Sequence, residues 1–382
     1  MPLVPIGMEG SQLTRRVFNF SPGPGALPRA VLEETQRDLV ALPGVGVSVL
    51  EVSHRSKWFE GVLTSAEEQI RRLLAVPANY RILFLQGGAS LQFAMLPMNF
   101  LRGTGATAEY IVTGAWGEKA LEEAKKQGAA HAAWSGKRDG YIRVPRADEI
   151  DFDARAAYVH FTSNETIQGV EFAVEPATGA APLVCDCSSD FLARPIDVSR
   201  YALLYAGAQK NAGPAGVTIV IVRDDFLERV PADLPALLDY RLLARERSLY
   251  NTPPVFAIYV VELVTRWLLE NVGGLEKMAA LNGRKAQLLY NAIDGSAGFY
   301  RGHSQADSRS MMNATFRLAS EALEKQFLRE AEARGLIELK GHRSVGGIRA
   351  SLYNAVPLEA AEALAGFMEE FRTAHAASNQ RA

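Results

Sequence analysis

Residues 201–216 read YALLYAGAQKNAGPAG. The first part, through Gly207, is a short apolar run of the length of a buried strand. The second part is a loop of small and amide residues holding one charge, Lys210, between Gly207 and Gly213. Two readings are open for that lysine. One is an ordinary solvated surface charge. The other is a functional amine presented at a strand end.

The flanking sequence decides the fold. Apolar runs recur at 81–86 (RILFLQ), 108–114 (AEYIVTG), 156–162 (AAYVHFT), 181–188 (APLVCDCS) and 216–222 (GVTIVIV), separated by helical stretches such as AEEQIRRLLAV at 66–76. Short apolar runs alternating with helices predict an α/β fold with a mostly parallel sheet, covered by helices on both faces. Residues 115–127 form one such helix: Trp116, Ala120, Leu121 and Ala124 share a face, Glu122 and Lys126 form an i,i+4 pair, and Gly128 stops it. After Asn251-Thr252-Pro253-Pro254 a long apolar helix runs to about Asn271, closed by Gly273-Gly274, with Thr252 as a good helix start. Strand-like alternation at 309–318 (RSMMNATFRL) and 346–355 (GGIRASLYNA), between helices near 319–335 and 357–375, predicts a smaller α+β C-terminal domain. The expected division is an extension and arm at 1–27, a large domain at 28–270 and a small domain at 271–382, with residues 1 to about 15 loose.

Composition narrows the classes. In 382 residues, 41 Lys and Arg stand against 43 Asp and Glu, a net charge of -2, which gives no reason to expect nucleic acid or an anionic membrane as partner. No stretch approaches the ~20 apolar residues of a membrane helix. The N-terminus lacks a basic start followed by an apolar run, so no signal peptide is expected. The two cysteines, Cys185 and Cys187, are too close for an unstrained disulfide and have no further ligands nearby for a metal clip. They read as buried free thiols, and a reducing cytoplasm is the expected compartment. The acidic cluster 148–153 reads as a solvated loop. His131, His160, His303 and His375 show no partner pattern and receive no role.

In an open parallel sheet ligands sit beyond the carboxyl ends of the strands. Gly87-Gly88-Ala89-Ser90 comes after the first run and opens the helical LQFAMLPMNFL, so it can seat a phosphate on backbone N–H groups, or be a plain tight turn. Asp186 lies inside an apolar run, on the opposite face from both cysteines, and must be paired. A lysine, a buried carboxylate and a phosphate seat are the parts that pyridoxal phosphate requires.

The sequence resembles the phosphoserine aminotransferases, fold-type-I enzymes that use pyridoxal phosphate. The resemblance runs from about Asn19 to Asn354. It rests on NFSPGPGALP (19–28), SHRSK (53–57), QGGASLQF (86–93), GAWGEKA (114–120), SNETIQG (163–169), RPIDVSRYALLYAGAQKNAGPAG (194–216), NTPP (251–254) and GHRSVGGIRASLYNA (341–355). It implies a seven-stranded sheet in the large domain. It implies Lys210 as the Schiff-base lysine, Asp186 at the pyridine nitrogen, Trp116 on the ring face and Thr166 at the ring hydroxyl. Ala89, Ser90 and Gln209 would hold the phosphate, with Asn251 and Thr252 reaching in from the other subunit of a homodimer. His54, Arg55, His342 and Arg343 would grip the side-chain anion of the substrate, and Arg349 the α-carboxylate. Some relatives carry an arginine or a cysteine where this chain has Ser90, which donates hydrogen bonds but brings no charge. No metal is implied.

A phosphorylated substrate carries about two negative charges beyond its carboxylate, which the two His-Arg pairs answer. The implied reaction moves an amino group between phosphoserine and 2-oxoglutarate, in serine biosynthesis; 4-phosphohydroxythreonine, in pyridoxine biosynthesis, is a further candidate. The rival readings are a serine–pyruvate or alanine–glyoxylate aminotransferase, a desulfurase-like lyase on the same fold, and a non-catalytic pyridoxal-phosphate-binding protein. A desulfurase needs a cysteine on a mobile loop, whereas Cys185 and Cys187 lie in a predicted strand.

Overall fold

The computed structural model describes residues 16–379, with side chains through His375. The expected loose extension over residues 1 to about 15 falls outside the described residues.

Seven strands make the main sheet: β1 (Tyr80–Leu85), β2 (Ala108–Val112), β3 (Ala130–Ser135), β4 (Val159–Thr162), β5 (Leu183–Asp186), β6 (Leu203–Gly207) and β7 (Thr218–Arg223). Their order is β1-β7-β6-β5-β4-β2-β3. All neighbours run parallel except β7, which is antiparallel to both β1 and β6. The mostly parallel seven-stranded sheet is therefore present. Six strands fall on the apolar runs. The seventh, β3, is an edge strand with exposed positions, so its residues never needed to form a continuous apolar run.

Alternation along each strand divides the core between the two faces. Ile82, Phe84, Ile111, Phe161, Cys185, Leu204, Ile219 and Ile221 pack on one side, against Phe59, Leu63 and Ile70 of helix Lys57–Leu73 and Val260, Val261 and Val264 of helix Val255–Trp267. Leu83, Leu85, Tyr110, Val184, Leu203, Tyr205, Val220 and Val222 pack on the other. There they meet helices α1 (Gly88–Phe100) and α2 (Ala115–Lys125) through Phe93, Leu96, Ala120 and Ala124. Both cysteines are free and buried. His160 finds a partner that sequence did not reveal. Its Nε2 lies 2.8 Å from the Tyr205 hydroxyl, and complete burial drives its pKa down to about 3, keeping the ring neutral.

Two local expectations are corrected. Lys126 pairs with Glu123 at 2.6 Å, one position from the expected Glu122, because the i,i+3 spacing at the end of α2 brings Glu123 closer. Thr252 does not cap the apolar helix, here α3 (Val255–Trp267). That helix has Pro254 at its cap position and no side-chain cap bond, because the two prolines carry the chain extended past the threonine. Its end is as expected: one wide turn, Leu268–Val272, closes on Gly273 at φ +86°. No described helix is long and apolar enough to cross a membrane.

A third core forms from the C-terminal part. Strands β8 (Arg301–Gly302), β9 (Asn313–Arg317) and β10 (Ile348–Ser351) make an antiparallel sheet. Helices α4 (Leu275–Asp294), α5 (Glu321–Ala333) and α6 (Leu358–Asn379) pack with it through Leu289, Phe327, Leu364 and Phe367. Phe20, from the N-terminal segment, joins this core, and Phe18–Asn19 pairs in parallel with Leu336–Ile337.

One buried cation joins α4 to the chain leaving β10. Lys285, fully buried, donates to the carbonyls of Leu352, Tyr353 and Val356 at 2.8, 2.9 and 3.0 Å. Beside it, the Asn282 amide donates to Asn354 Oδ1. The Asn354 backbone N–H donates in turn to Oδ1 of Asn211, the residue after Lys210. A Lys285→Met variant leaves those carbonyls without their shared donor. Its expected cost is about 3 kcal/mol of stability, read as a lower urea midpoint at fixed protein concentration; an unchanged midpoint would show that the ammonium does not hold this turn.

Candidate active site

A cavity of about 380 Å³ opens at the carboxyl edge of the main sheet. Its walls come from the segments after β1, β2, β4, β5 and β6, from Pro22 and Gly23, and from His342 and Arg349 of the C-terminal part. Among the residues singled out from sequence, it gathers Ala89, Ser90, Trp116, Thr166, Asp186, Gln209, Lys210, His342 and Arg349.

Lys210 comes after β6, across a tight turn. Its Nζ donates to Thr166 Oγ1 at 2.8 Å and lies 5.5 Å from the centre of the Trp116 ring. Burial depresses its pKa below the ordinary lysine value, while Asp186 and Glu165 pull the other way. The surface-lysine reading is thereby excluded. A lysine whose free amine is more accessible than usual can act as a nucleophile and as a base.

Asp186 ends β5, 3% exposed. It is paired, as burial required, by Ser188, whose N–H and hydroxyl both donate to Oδ1, at 3.0 and 2.6 Å. Burial raises its pKa; Lys210 and the Ser188 bonds oppose that rise. Among the described residues both hydrogen bonds fall on Oδ1, which leaves Oδ2 with acceptor capacity to spare on a residue that lines the cavity.

Helix α1 begins at the end of β1 after Gly87, which has φ +86° and offers no side-chain cap. Only a residue tolerant of the left-handed region turns the chain there without strain. The first free N–H groups of α1, at Gly88, Ala89 and Ser90, border the cavity and make an anion seat. Trp116, in the first turn of α2, presents its ring to the same space, with Lys119 Nζ 4.3 Å from the ring centre.

Arg349 lies in β10, 6% exposed, sharing a strand face with Ser351 as the alternation predicted. It donates to the Thr166 carbonyl at 3.3 Å, and its buried Nε has no partner among the described residues. A buried guanidinium with donors to spare fits an anionic ligand. His342, held by Ser344 at 2.7 Å, is pushed to lower pKa by burial and by the cations Arg349, Arg343 and Lys119.

Five residues stand apart. Arg343 is exposed beside His342, and His54 and Arg55 lie in the turn before helix Lys57–Leu73. Asn251 and Thr252 contact Gln86 instead, at 3.4 and 3.1 Å. None of the five lines this cavity. Conversely, sequence reasoning assigned nothing to Ser188, Glu165 or the N-terminal loop. Yet Pro22 and Gly23 line the cavity, and the Tyr353 hydroxyl donates to the Pro22 carbonyl at 2.7 Å. A serine two residues beyond a buried aspartate was the available signal for Ser188.

These residues fit pyridoxal phosphate: a buried amine for its aldehyde, a carboxylate with a free oxygen, an anion seat at a helix start and an aromatic wall. The chain matches the class-V aminotransferase family over residues 17–364. It is 55% identical over 358 residues to the phosphoserine aminotransferase of Geobacillus kaustophilus (strain HTA426), covering 94% of this chain and 99% of that one. The solved phosphoserine aminotransferase from Bacillus circulans subsp. alkalophilus superposes with a TM-score of 0.92 at 52% identity, over 95% of this chain and 100% of that one. The pyridoxal-phosphate-bound enzyme from Trichomonas vaginalis gives 0.87 at 40% identity, over 93% and 100%. The fold is that of the fold-type-I pyridoxal-phosphate aminotransferases, and the chain belongs to the class-V aminotransferases, within their phosphoserine aminotransferase family.

Proposed function

We propose that the chain catalyses amino-group transfer between glutamate and 3-phosphohydroxypyruvate, giving 2-oxoglutarate and phosphoserine. The observation that carries this reading is the convergence of Lys210, Asp186, the α1 start and Arg349 on one cavity. Bound pyridoxal phosphate supplies an aldehyde that condenses with amines and a ring that spreads carbanion charge. With the cofactor bound, Lys210 would take the proton from the substrate Cα as base and return it as acid. Asp186 would pair with the pyridine nitrogen and keep it protonated. Thr166 would hydrogen-bond the ring hydroxyl, and Trp116 would cover the ring. Ala89, Ser90 and Gln209 would hold the phosphate. Arg349 receives the α-carboxylate of each substrate in turn.

The side-chain anion falls to His342 and Arg343, with His54 and Arg55. We infer that a second copy of the chain supplies His54, Arg55, Asn251 and Thr252, since none of them borders the cavity of its own subunit. That arrangement makes a homodimer with shared sites. The division at about 27 and 270 is supported by the separate C-terminal core, although Leu275 and Met278 pack with the first core. The free thiols suit the reducing cytoplasm.

Incubation with phosphoserine and 2-oxoglutarate is expected to form glutamate, much faster than with serine or alanine; equal rates would favour the rival aminotransferases, and no glutamate a non-catalytic role. Lys210→Ala should lose both transamination and the visible absorbance of the bound cofactor, and normal turnover in that variant would remove Lys210 from the mechanism. Arg343→Ala should lower kcat/KM for phosphoserine at least about tenfold more than for a non-phosphorylated amino acid, the worth of one charge-assisted hydrogen bond. Mixing the Lys210→Ala and Arg55→Ala proteins under conditions of subunit exchange should restore activity to about a quarter of wild type, since a two-fold mixed dimer regains one intact site. Failure to complement would assign Arg55 to its own subunit.

A further inference from the structure

Glu165 is an unexpected residue to find beside this site. It comes after β4 in the two-residue strand Asn164–Glu165, and its side chain is completely buried. Among the described residues its carboxylate does not pair with a cation side chain. Instead Oε1 accepts the Gly117 N–H at 2.8 Å and Oε2 the Trp116 N–H at 3.1 Å. These are free donors of the first turn of α2, a helix of 11 residues whose own cap position, Gly114, offers no side chain. The cap is therefore brought in from another strand, and a carboxylate there is favoured by the helix dipole.

Two observations tie this cap to the site. The Trp116 indole N–H is buried and has no partner among the described residues, so the ring is not anchored through its own polar atom. Its position depends on the backbone that Glu165 grips and on packing against Phe93. In addition, Gly114 leaves room for the carboxylate: a Cβ there would lie 2.5 Å from Glu165 Cδ. The residue after Glu165 is Thr166, whose hydroxyl accepts from Lys210 and whose carbonyl accepts from Arg349. One short segment thus references the aromatic wall, the amine and the carboxylate-binding guanidinium to each other.

We propose that Glu165 is a positioning residue, fixing the Trp116 ring against the cofactor by holding the first turn of α2. The proposal rests on the reading that Trp116 covers the cofactor ring. Burial pushes the Glu165 pKa up to about 7 and Asp186 adds to the rise, with the Gly117 and Trp116 N–H bonds and Lys210 opposing it.

The test is a double-mutant cycle on cofactor affinity, measured by titrating the apoprotein with pyridoxal phosphate, alongside the circular dichroism of the bound cofactor's visible band. Glu165→Gln turns an NH2 group toward one of the two N–H donors. Its dissociation constant should rise about tenfold, the worth of one hydrogen bond near a charge, and the dichroism per bound cofactor should fall. In a Trp116→Ala background the same change should matter less than about twofold, since residues acting through each other are not additive. Gly114→Ala, which displaces the carboxylate without removing it, should repeat the loss and covers the case of a poorly folding Gln variant. The proposal is overturned if Glu165→Gln and Gly114→Ala lower only the thermal midpoint, or if the Gln effect is the same in both backgrounds. If Trp116→Ala itself leaves affinity unchanged, the reading of Trp116 fails and the proposal with it. If Trp116→Ala weakens binding and neither of the other variants does, only the proposal fails.

Discussion

The shared direction of β1, β2, β4, β5 and β6 is the constraint on which the rest depends. Because these strands run parallel, or parallel at one remove across β7, their carboxyl ends open on the same edge of the sheet. Each end then hands one part to the cavity: a helix start, an aromatic ring, a threonine, an aspartate and a lysine. The antiparallel β7 interrupts the pattern without breaking it, since two reversals return β1 to the common direction. A strand turned the other way would have carried its functional residue to the far edge.

Burial of charge is the second organising fact. Asp186, Glu165 and Arg349 lie out of water and Lys210 is half-buried, and burial shifts each toward its neutral form. The cost is offset by one local hydrogen bond, from Ser188 to Asp186, and by two between distant stretches, from the α2 N–H groups to Glu165 and from Lys210 to Thr166. None of these side chains makes a direct salt bridge with another among the described residues. Their donors and acceptors therefore remain available to a ligand carrying its own charges, and such a site is strengthened by the low dielectric around it.

The C-terminal core contributes Arg349 and His342 and is fastened to the lysine loop by amides and one ammonium. Asn211 and Asn354 join the residue after Lys210 to the chain after β10, and Lys285 holds that chain from α4. The N-terminal segment closes the same region, with Tyr353 donating to the Pro22 carbonyl and the Gly25 N–H to the Gln209 carbonyl. Parts from four distant stretches of sequence are thus joined by hydrogen bonds around one site.

Much of this was legible from residues alone. Apolar runs of strand length marked six of the seven sheet strands, and the residues at their ends supplied Lys210, Asp186, Ala89 and Ser90, because in a parallel sheet position at a strand's carboxyl end implies position at the site. The edge strand β3 escaped, since half-exposed residues carry no apolar run. The Thr252 cap failed because two prolines carry the chain extended past it, and the Glu122 pair because one step along the helix decides which glutamate lies nearer to Lys126. Glu165 was hidden for a different reason. A glutamate in a turn reads as solvated, and only the fold brings α2 over it and makes it a buried cap. Local periodicity determined the strands, helices and their order. The separation of His54, Arg55, Asn251 and Thr252 from the cavity, and the gathering of Glu165, Trp116, Lys210 and Arg349 around one segment, were decided by tertiary packing, because contacts between distant stretches of chain leave no periodic trace in it.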